Sequence, residues 1–187
     1  DALKNLKPDV VIVWADSNQP WHKKSEDILS AINLPFVYVT VANFGDISGF
    51  SEAFAFLGEL LDCRERAGKL AEYCRQTCRE IEALIARVAQ EQRPAVYYAE
   101  CDDGLATEFD DSLHAHLLKL LGDVNVHRGQ LQDHKGMERI TLEQLQQYEP
   151  DVIIAWSKSL CEKTGTDPDW AQIKAVKNRR VHPIPDV

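Results

Sequence analysis

Short apolar runs alternate along the chain with longer segments whose apolar residues recur every three or four positions. The runs are apolar on both faces, which is typical of strands buried in a parallel sheet. Predicted strands cover residues 10–14, 36–41, 95–99, 123–126, 152–156 and 181–184. Predicted helices cover residues 1–7, 26–32, 50–61, 64–92, 112–121 and 170–176, with another beginning after a Thr141–Gln144 capping box. The pattern predicts an α/β fold.

The segment 64–92 is the longest helical pattern. Gly68 is the only glycine in this segment, which contains no proline. A helix of about 25 residues would span roughly 37 Å. Its heptad period is too brief for a coiled coil, so we expect a stiff connecting helix. Gly58, in the preceding helix, is interpreted as a mild flaw.

An internal repeat relates the beginning of the chain to its last third. Residues 1–17 and 143–159 are identical at seven positions, including the Pro-Asp pair and the tryptophan that ends the strand. The separation is too large for a solenoid. We therefore predict two similar Rossmann-like lobes: a partial N-terminal lobe over 1–62, a connecting helix over 63–92 and a C-terminal lobe over 93–187. The first strands of the N-terminal lobe are expected to be absent.

Composition excludes several classes of protein. The formal charge is −9, which argues against general nucleic-acid binding. No apolar run has the length of a membrane span. The five cysteines do not form a disulfide framework, and Cys74 and Cys78, four apart, are interpreted as core residues rather than a metal or redox pair. No GxSxG, HExxH or P-loop motif occurs, so no enzyme activity and no bound cofactor are predicted.

The ordered succession of motifs resembles a known family. The segments PDVVIVW, LPFVYV, PAVYYAE, DGLAT, GDVNV, ITLEQLQQYEPDVIIAW and RVHPIP surround the long helix. This order is similar to that of class III periplasmic substrate-binding proteins of ABC importers, which have a helical backbone between two lobes. The resemblance covers essentially the whole chain and is strongest to the iron-complex and molybdate-binding branch.

The resemblance implies a function, partners and a location. It implies a monomeric, extracytoplasmic protein, periplasmic or lipid-anchored, that captures an iron(III) complex between its lobes and delivers it to an ABC permease and its ATPase. It also implies that an export signal and part of the N-terminal lobe precede this sequence, and that a helix follows it. By the same resemblance, one acidic residue per lobe docks onto the permease, and the matching positions are Asp1 and Glu143.

Candidate ligand-binding residues lie where predicted strands end, because open α/β sheets bind ligands beyond the C-terminal ends of their strands. Aromatic side chains offer flat walls to a chelate, and Tyr, His and Glu can fill free positions on iron. The candidates are Trp14, Trp21, His22, Tyr98, Glu100, Asp102, Thr107, Trp156, Ser157, Lys158 and His182.

Other interpretations stay open at this point. Trp14 and Trp156 also fit as core residues. Molybdate or tungstate is an alternative ligand, a chelatase-like metal-handling enzyme is an alternative function, and the unpaired cysteines suit a cytosolic interaction domain. No metal site is predicted: His114 and His116 lie two apart and do not share a helix face, and His127 and His134 receive no role.

Overall fold

The structure, a computed structural model, describes residues 2–14, 20–39, 49–110, 112, 114–122, 124–128 and 137–185. The α-helices and strands are α1 (Ala2–Leu6), β1 (Val11–Trp14), α2 (Pro20–Ala31), β2 (Phe36–Val39), α3 (Phe50–Leu60), α4 (Arg64–Ile85), β3 (Val96–Ala99), β4 (Ala106–Glu108), α5 (Ala115–Leu120), β5 (Met137–Arg139), α6 (Leu142–Tyr148), β6 (Val152–Ala155), α7 (Lys158–Thr166), α8 (Lys174–Lys177) and β7 (Val181–Pro183). The α/β class is confirmed. None of the described helices combines the length and apolar content that crossing a bilayer requires.

The chain divides into two compact units, Asp1–Cys78 and Arg79–Val187. The boundary lies within α4, the helix predicted to connect two lobes. The two halves of the sequence repeat fall in different units and different sheets, since β1 pairs with β2 and β6 pairs with β3 and β7. The lobe boundaries given above for the whole protein stay a prediction.

In the first unit, β1 and β2 pair in parallel, with Val11 opposite Phe36 and Trp14 opposite Val39. The helices α3 and α4 meet where Gly58 is buried: a Cβ added there would lie 2.4 Å from the Cβ of Ala67. The interpretation of Gly58 as a flaw is therefore wrong, because the missing side chain is what lets the two helices approach so closely.

The helix α4 is shorter than its sequence pattern predicts. It ends at Ile85, and residues 86–92 form turns and a 3₁₀ helix. Its exposed surface carries i,i+3 and i,i+4 ion pairs, including Lys69 with Glu65 at 2.6 Å. Such exposed pairs contribute only about 0.3–0.5 kcal/mol each, so they support the helix without fixing its length.

The second unit is built on a parallel sheet in the order β3-β6-β7. Tyr97 pairs with Ile153, and both are fully buried among the side chains of the main core. The predicted strand over 123–126 is wrong for the described residues of that segment, because only Asn125 pairs there, in a single parallel bridge with Val96. The bridge extends the sheet beyond β3 by one residue.

Several local elements differ from the sequence expectation. The predicted helix 170–176 is split into a 3₁₀ turn and α8, because Ile173 adopts an extended backbone and is buried. The antiparallel pair β4–β5 and the helix α7 were not predicted. The capping box is confirmed: Thr141 Oγ1 accepts from Gln144 N at 3.2 Å, and Gln144 Oε1 accepts from Thr141 N at 2.8 Å.

The turn between β3 and β4 depends on Gly104. Its φ is +70°, and a Cβ there would lie 2.6 Å from a Leu160 methyl and 2.9 Å from the Trp170 ring. Its carbonyl also accepts a hydrogen bond from the buried Tyr97 hydroxyl at 3.0 Å. The turn thus carries the chain from β3 into β4 over the core.

We expect Gly104→Ala to lower the free energy of unfolding by about 2 kcal/mol or more, because it adds both backbone strain and a core clash. Gly165→Ala in α7 is the matched control, since no atom lies within 4 Å of the added Cβ and alanine favours the helix. Urea titrations of both variants check this, and equal stabilities would contradict it.

Asp151 ties β6 to its neighbours. One carboxylate oxygen accepts from Ala95 N at 2.8 Å and the other lies 2.8 Å from Lys174 Nζ. The hydrogen bond with Lys174, followed by the backbone bond from Ala95, lowers the pKa of Asp151. Because a lowered folded-state pKa stabilises only while the carboxylate is ionised, this stability is present above about pH 4 and is lost as the pH falls further.

We therefore expect Asp151→Asn to be less stable than the wild type at pH 7, by about 1–2 kcal/mol given its partial burial. The difference should shrink as the pH falls below about 4. Thermal melts of both proteins between pH 3 and 7 measure it, and a pH-independent difference would contradict the role of the charge.

Candidate functional site

The candidate site lies at the C-terminal ends of two adjacent strands. Ala99 and Ala155 are register partners that end β3 and β6, and Trp156 N donates to Ala99 O at 2.9 Å. The next residue of each strand, Glu100 and Trp156, therefore starts from the same edge of the sheet. This edge is where parallel sheets bind ligands.

Three ionisable side chains meet beside this edge. His114 Nδ1 lies 3.0 Å from Glu108 Oε1 and 3.3 Å from Glu100 Oε1. The carboxylates are nearly buried, with side chains 10% and 6% exposed for Glu100 and Glu108, whereas the His114 side chain is 47% exposed. The cluster is thus a carboxylate pair that solvent reaches on the histidine side.

The two carboxylates fix the charge of the histidine. Hydrogen bonds with Glu100 and then Glu108 raise the pKa of His114 to about 10, so the imidazole is protonated at neutral pH. Burial alone would raise the pKa of Glu100, but its hydrogen bond with His114 outweighs that effect and lowers it. Two nearly buried acids therefore face one cation, which leaves a negative balance in the cluster.

Aromatic groups border the cluster. The Tyr98 ring centroid lies 5.9 Å from that of His114, and the exposed Trp156 ring lies 6.2 Å from His114 on another side. Burial, the charge of Glu100 and a hydrogen bond with Glu100 raise the pKa of Tyr98, so its phenol stays protonated and orients the carboxylate. The site combines acidic oxygens, one imidazole and an open aromatic wall.

The local backbone explains why Glu108 reaches Glu100. After the Gly104 turn, Glu100 N donates to Ala106 O at 2.7 Å, which folds β4 back along the end of β3. Asn125 Nδ2 donates to Glu108 O at 3.4 Å and to Asp110 Oδ1 at 3.2 Å, which fixes the far end of β4. Ser112 Oγ accepts from Ala115 N and places His114 at the start of α5.

Three of the predicted ligand-binding residues, Tyr98, Glu100 and Trp156, are brought together here. Thr107 lies in β4 but is fully buried, and Asp102 is exposed in the turn before Gly104. The Ser157 hydroxyl accepts a hydrogen bond from Leu160 N at 3.3 Å and caps the N-terminus of α7. This capping role accounts for Ser157 without a ligand. The exposure of Trp156, 58%, disfavours its interpretation as a core residue.

The remaining predicted residues are exposed on the surface or lie outside the described side chains. Lys158 is exposed in the first turn of α7, and His182 is exposed in β7. Glu143 is exposed in the first turn of α6. Asp1 and the side chains of Trp14, Trp21 and His22 lie outside the described part of the chain, so their roles stay predictions.

Sequence reasoning missed Glu108 and His114. It weighed His114 only against His116, on the same helix, whereas the partners of His114 come from β3 and β4. The available signal was the DGLAT segment, since a turn after β3 returns the next residues to the strand end. His127 is also structural: it is buried, and its Nδ1 lies 3.1 Å from the Tyr148 hydroxyl.

Comparison with known proteins places this geometry in a family. The chain matches the family described as "Periplasmic binding protein" over residues 1–187. It belongs to this family. The resemblance to class III binding proteins seen in the sequence is therefore confirmed, and the family description agrees with the prediction of a binding protein rather than an enzyme.

Individual relatives match nearly all of the chain. The Fe(3+)-citrate-binding protein YfmC of Bacillus subtilis is 24% identical over 97% of this chain and 55% of its own length. An ABC transporter solute binding protein from Sulfurospirillum deleyianum superposes with a TM-score of 0.86 at 32% identity, covering 98% of this chain and 55% of that one. The molybdate-binding protein MolA of Haemophilus influenzae superposes with a TM-score of 0.80 at 21% identity, covering 98% of this chain and 60% of that one. The chain thus spans a little over half the length of these relatives.

A double-mutant cycle tests whether the cluster acts as a unit. We expect His114→Gln to destabilise the second unit by about 1–2 kcal/mol at pH 7, because it leaves two adjacent carboxylates without their cation. We expect His114→Gln combined with Glu108→Gln to recover part of this loss, because only one carboxylate then remains. Denaturant titrations of the wild type, the two single variants His114→Gln and Glu108→Gln, and the double variant measure the coupling, and additive effects would contradict it.

Proposed function

We propose that this chain is part of the extracytoplasmic solute-binding component of an ABC importer, and that its cargo is an iron(III) complex of the siderophore or carboxylate-chelate kind. It holds the complex at the ends of β3 and β6 and delivers it to a permease and its ATPase. The protein acts by binding and docking in the periplasm or from a lipid anchor, without bond chemistry.

Family membership supports the transport role. Relatives that match this chain include one whose name gives Fe(3+)-citrate as its ligand and one described as an ABC transporter solute binding protein. Since the chain spans little more than half of each, the role of the whole protein is inferred from them. The choice of an iron complex as the cargo rests on the chemistry of the site.

The observation that carries the choice of cargo is the charge of the site. Glu100 and Glu108 present two nearly buried carboxylates against a single imidazolium. A negative cluster repels an oxyanion such as molybdate or tungstate, whereas its carboxylates can bind a metal centre directly where a chelate leaves coordination positions open. The similarity to MolA, at 21% identity, supports the fold alone and does not outweigh this electrostatic argument.

Trp156 supports a chelate rather than a bare ion as the cargo delivered. Its ring is 58% exposed beside the cluster, where it offers a flat apolar surface. An aromatic face left in solvent contributes favourable contact area when an organic ligand covers it. Metal and organic parts of one chelate would thus meet the carboxylates and the indole, respectively.

Docking to the permease is proposed for Glu143. The side chain is exposed in the first turn of α6, and backbone and Thr141 hydrogen bonds lower the pKa of Glu143, so it is ionised. Its counterpart in the sequence repeat is Asp1. An acidic residue at equivalent places of the two repeats suits a permease with two similar halves.

Binding experiments test the cargo. Native mass spectrometry and tryptophan fluorescence with ferric citrate, a ferric hydroxamate, haem, cobalamin and molybdate should show micromolar or tighter binding of at least one ferric complex. Preference for molybdate over every iron complex would overturn the choice of cargo. Failure of all five to bind would overturn the proposed function for this chain.

We expect Trp156→Ala to weaken binding of the ferric complex about five- to tenfold, on the order of 1 kcal/mol, because the chelate loses its aromatic wall. Tyr73→Ala is the matched control, since Tyr73 is 70% exposed on α4 in the first unit. Isothermal titration calorimetry of both variants measures the effect, and equal weakening by the two would contradict it.

A further inference from the structure

The Glu100–Glu108–His114 cluster draws its three side chains from three different places. Glu100 follows β3, Glu108 ends β4 and His114 precedes α5. Among the described residues it is the group of potential metal-ligating side chains whose donor atoms lie within 4.8 Å of one another. Such convergence of one imidazole and two carboxylates has the composition of a metal site.

The two distances from His114 to the carboxylates match those of ligands around one ion. Two donor atoms that each lie about 2.1 Å from an ion are about 3.0 Å apart at an octahedral angle and about 3.4 Å apart at a tetrahedral angle. His114 Nδ1 lies 3.0 Å from Glu108 Oε1 and 3.3 Å from Glu100 Oε1. The side chains therefore need little rearrangement to share an ion.

The supporting groups are also those of a ligand site. Tyr98 hydrogen-bonds Glu100 from the buried side, and Asn125 holds the Glu108 backbone. The first contact orients the Glu100 carboxylate, and the second fixes the backbone from which the Glu108 side chain extends, as the outer-shell groups of metal sites do. The half-exposed His114 and the exposed Trp156 leave the outer side open for entry and for further ligands.

We propose that Glu100, Glu108 and His114 directly ligate a metal centre that retains open coordination positions, and that the ion displaces the proton of the His114 imidazolium, which passes to solvent. The ion is a first-row transition metal, because one imidazole with two carboxylates suits iron, manganese and zinc better than the all-oxygen sets of calcium or magnesium. The protein supplies three ligands on one side, and the remaining positions face solvent and Trp156.

Two sources of the metal share this chemistry. The ion arrives either alone, as an aqueous divalent cation, or inside a chelate whose weaker ligands the protein replaces. The second source rests on the proposed function, whereas the ligand set itself does not. A chelate that fills all six positions of the metal offers no place for these three side chains.

The competing explanation is that the cluster is only an internal ion triad that fastens β3, β4 and α5. Both explanations predict loss of stability when a member is removed. They differ in whether the cluster takes up metal, and in whether metal uptake depends on Glu108 and His114 in proteins that are still folded.

The 187-residue chain is first treated with a chelator to remove metal. It is then titrated with Zn²⁺, Mn²⁺, ferric citrate or a saturated ferric trihydroxamate, and isothermal titration calorimetry measures the binding. We expect Zn²⁺, Mn²⁺ or ferric citrate to bind, and Glu108→Gln and His114→Gln each to weaken that binding tenfold or more. Glu162→Gln, an exposed carboxylate on α7, is the matched control and should bind as the wild type does. Circular dichroism identifies variants that fold.

A measurement on the wild-type protein covers the case in which variants do not fold. Mn²⁺ broadens nuclear magnetic resonance signals of nearby groups, so the His114 and Trp156 ring signals should broaden first. Broadening that begins elsewhere overturns the proposal, as does undiminished binding by both folded variants.

The different probes distinguish failure of this proposal from failure of the proposed function. Binding of the aqueous ions through the cluster supports a free-ion source, and cluster-dependent binding of ferric citrate supports a chelate source. Binding of the saturated trihydroxamate alone, unaffected by Glu108→Gln, overturns direct ligation and leaves the iron-complex function standing. Failure of every probe to bind overturns both.

Discussion

The parallel pairing of β3 with β6 is the constraint on which the second unit depends. Backbone hydrogen bonds hold Ala99 opposite Ala155, while Asp151 bridges Ala95 and Lys174 at the other end of the strands. The side chains between these ends, Tyr97 and Ile153 among them, are buried and form the core. With the register fixed in this way, Glu100 and Trp156 emerge at one edge without further adjustment.

The site at this edge keeps two carboxylates close together although both are nearly buried. Burial disfavours ionised carboxylates, yet Glu100 and Glu108 lie side by side with little exposure. The imidazolium of His114 compensates them in part, and its exposed side leaves the cluster accessible. A site with this balance is suited to exchanging the imidazolium proton for a metal ion, which is what the proposed function requires.

The members of the family share a scaffold but bind different ligands. Structures that share this fold include binding proteins for molybdate, vitamin B12 and haem. These ligands differ in charge, size and shape, so the fold alone does not specify a cargo. In this chain the proposed cargo rests on a few side chains after β3 and β6, and on the return of β4 along the sheet edge.

The sequence by itself determined the α/β class, the parallel strands, the separation of the repeat into two sheets and the capping box, because these follow from local periodicity and from short-range hydrogen bonding. It also indicated the edge at which the candidate site lies, since Tyr98, Glu100 and Trp156 lie at or directly after strand ends. Only the tertiary structure joined Glu108 and His114 to Glu100. That contact depends on how the Gly104 turn directs β4, and on the Asn125 and Ser112 hydrogen bonds that position its end and the start of α5. The end of α4 at Ile85, the break at Ile173 and the close approach of two helices at Gly58 were likewise decided by the tertiary structure. The periodicity of a single segment does not record such contacts between different elements.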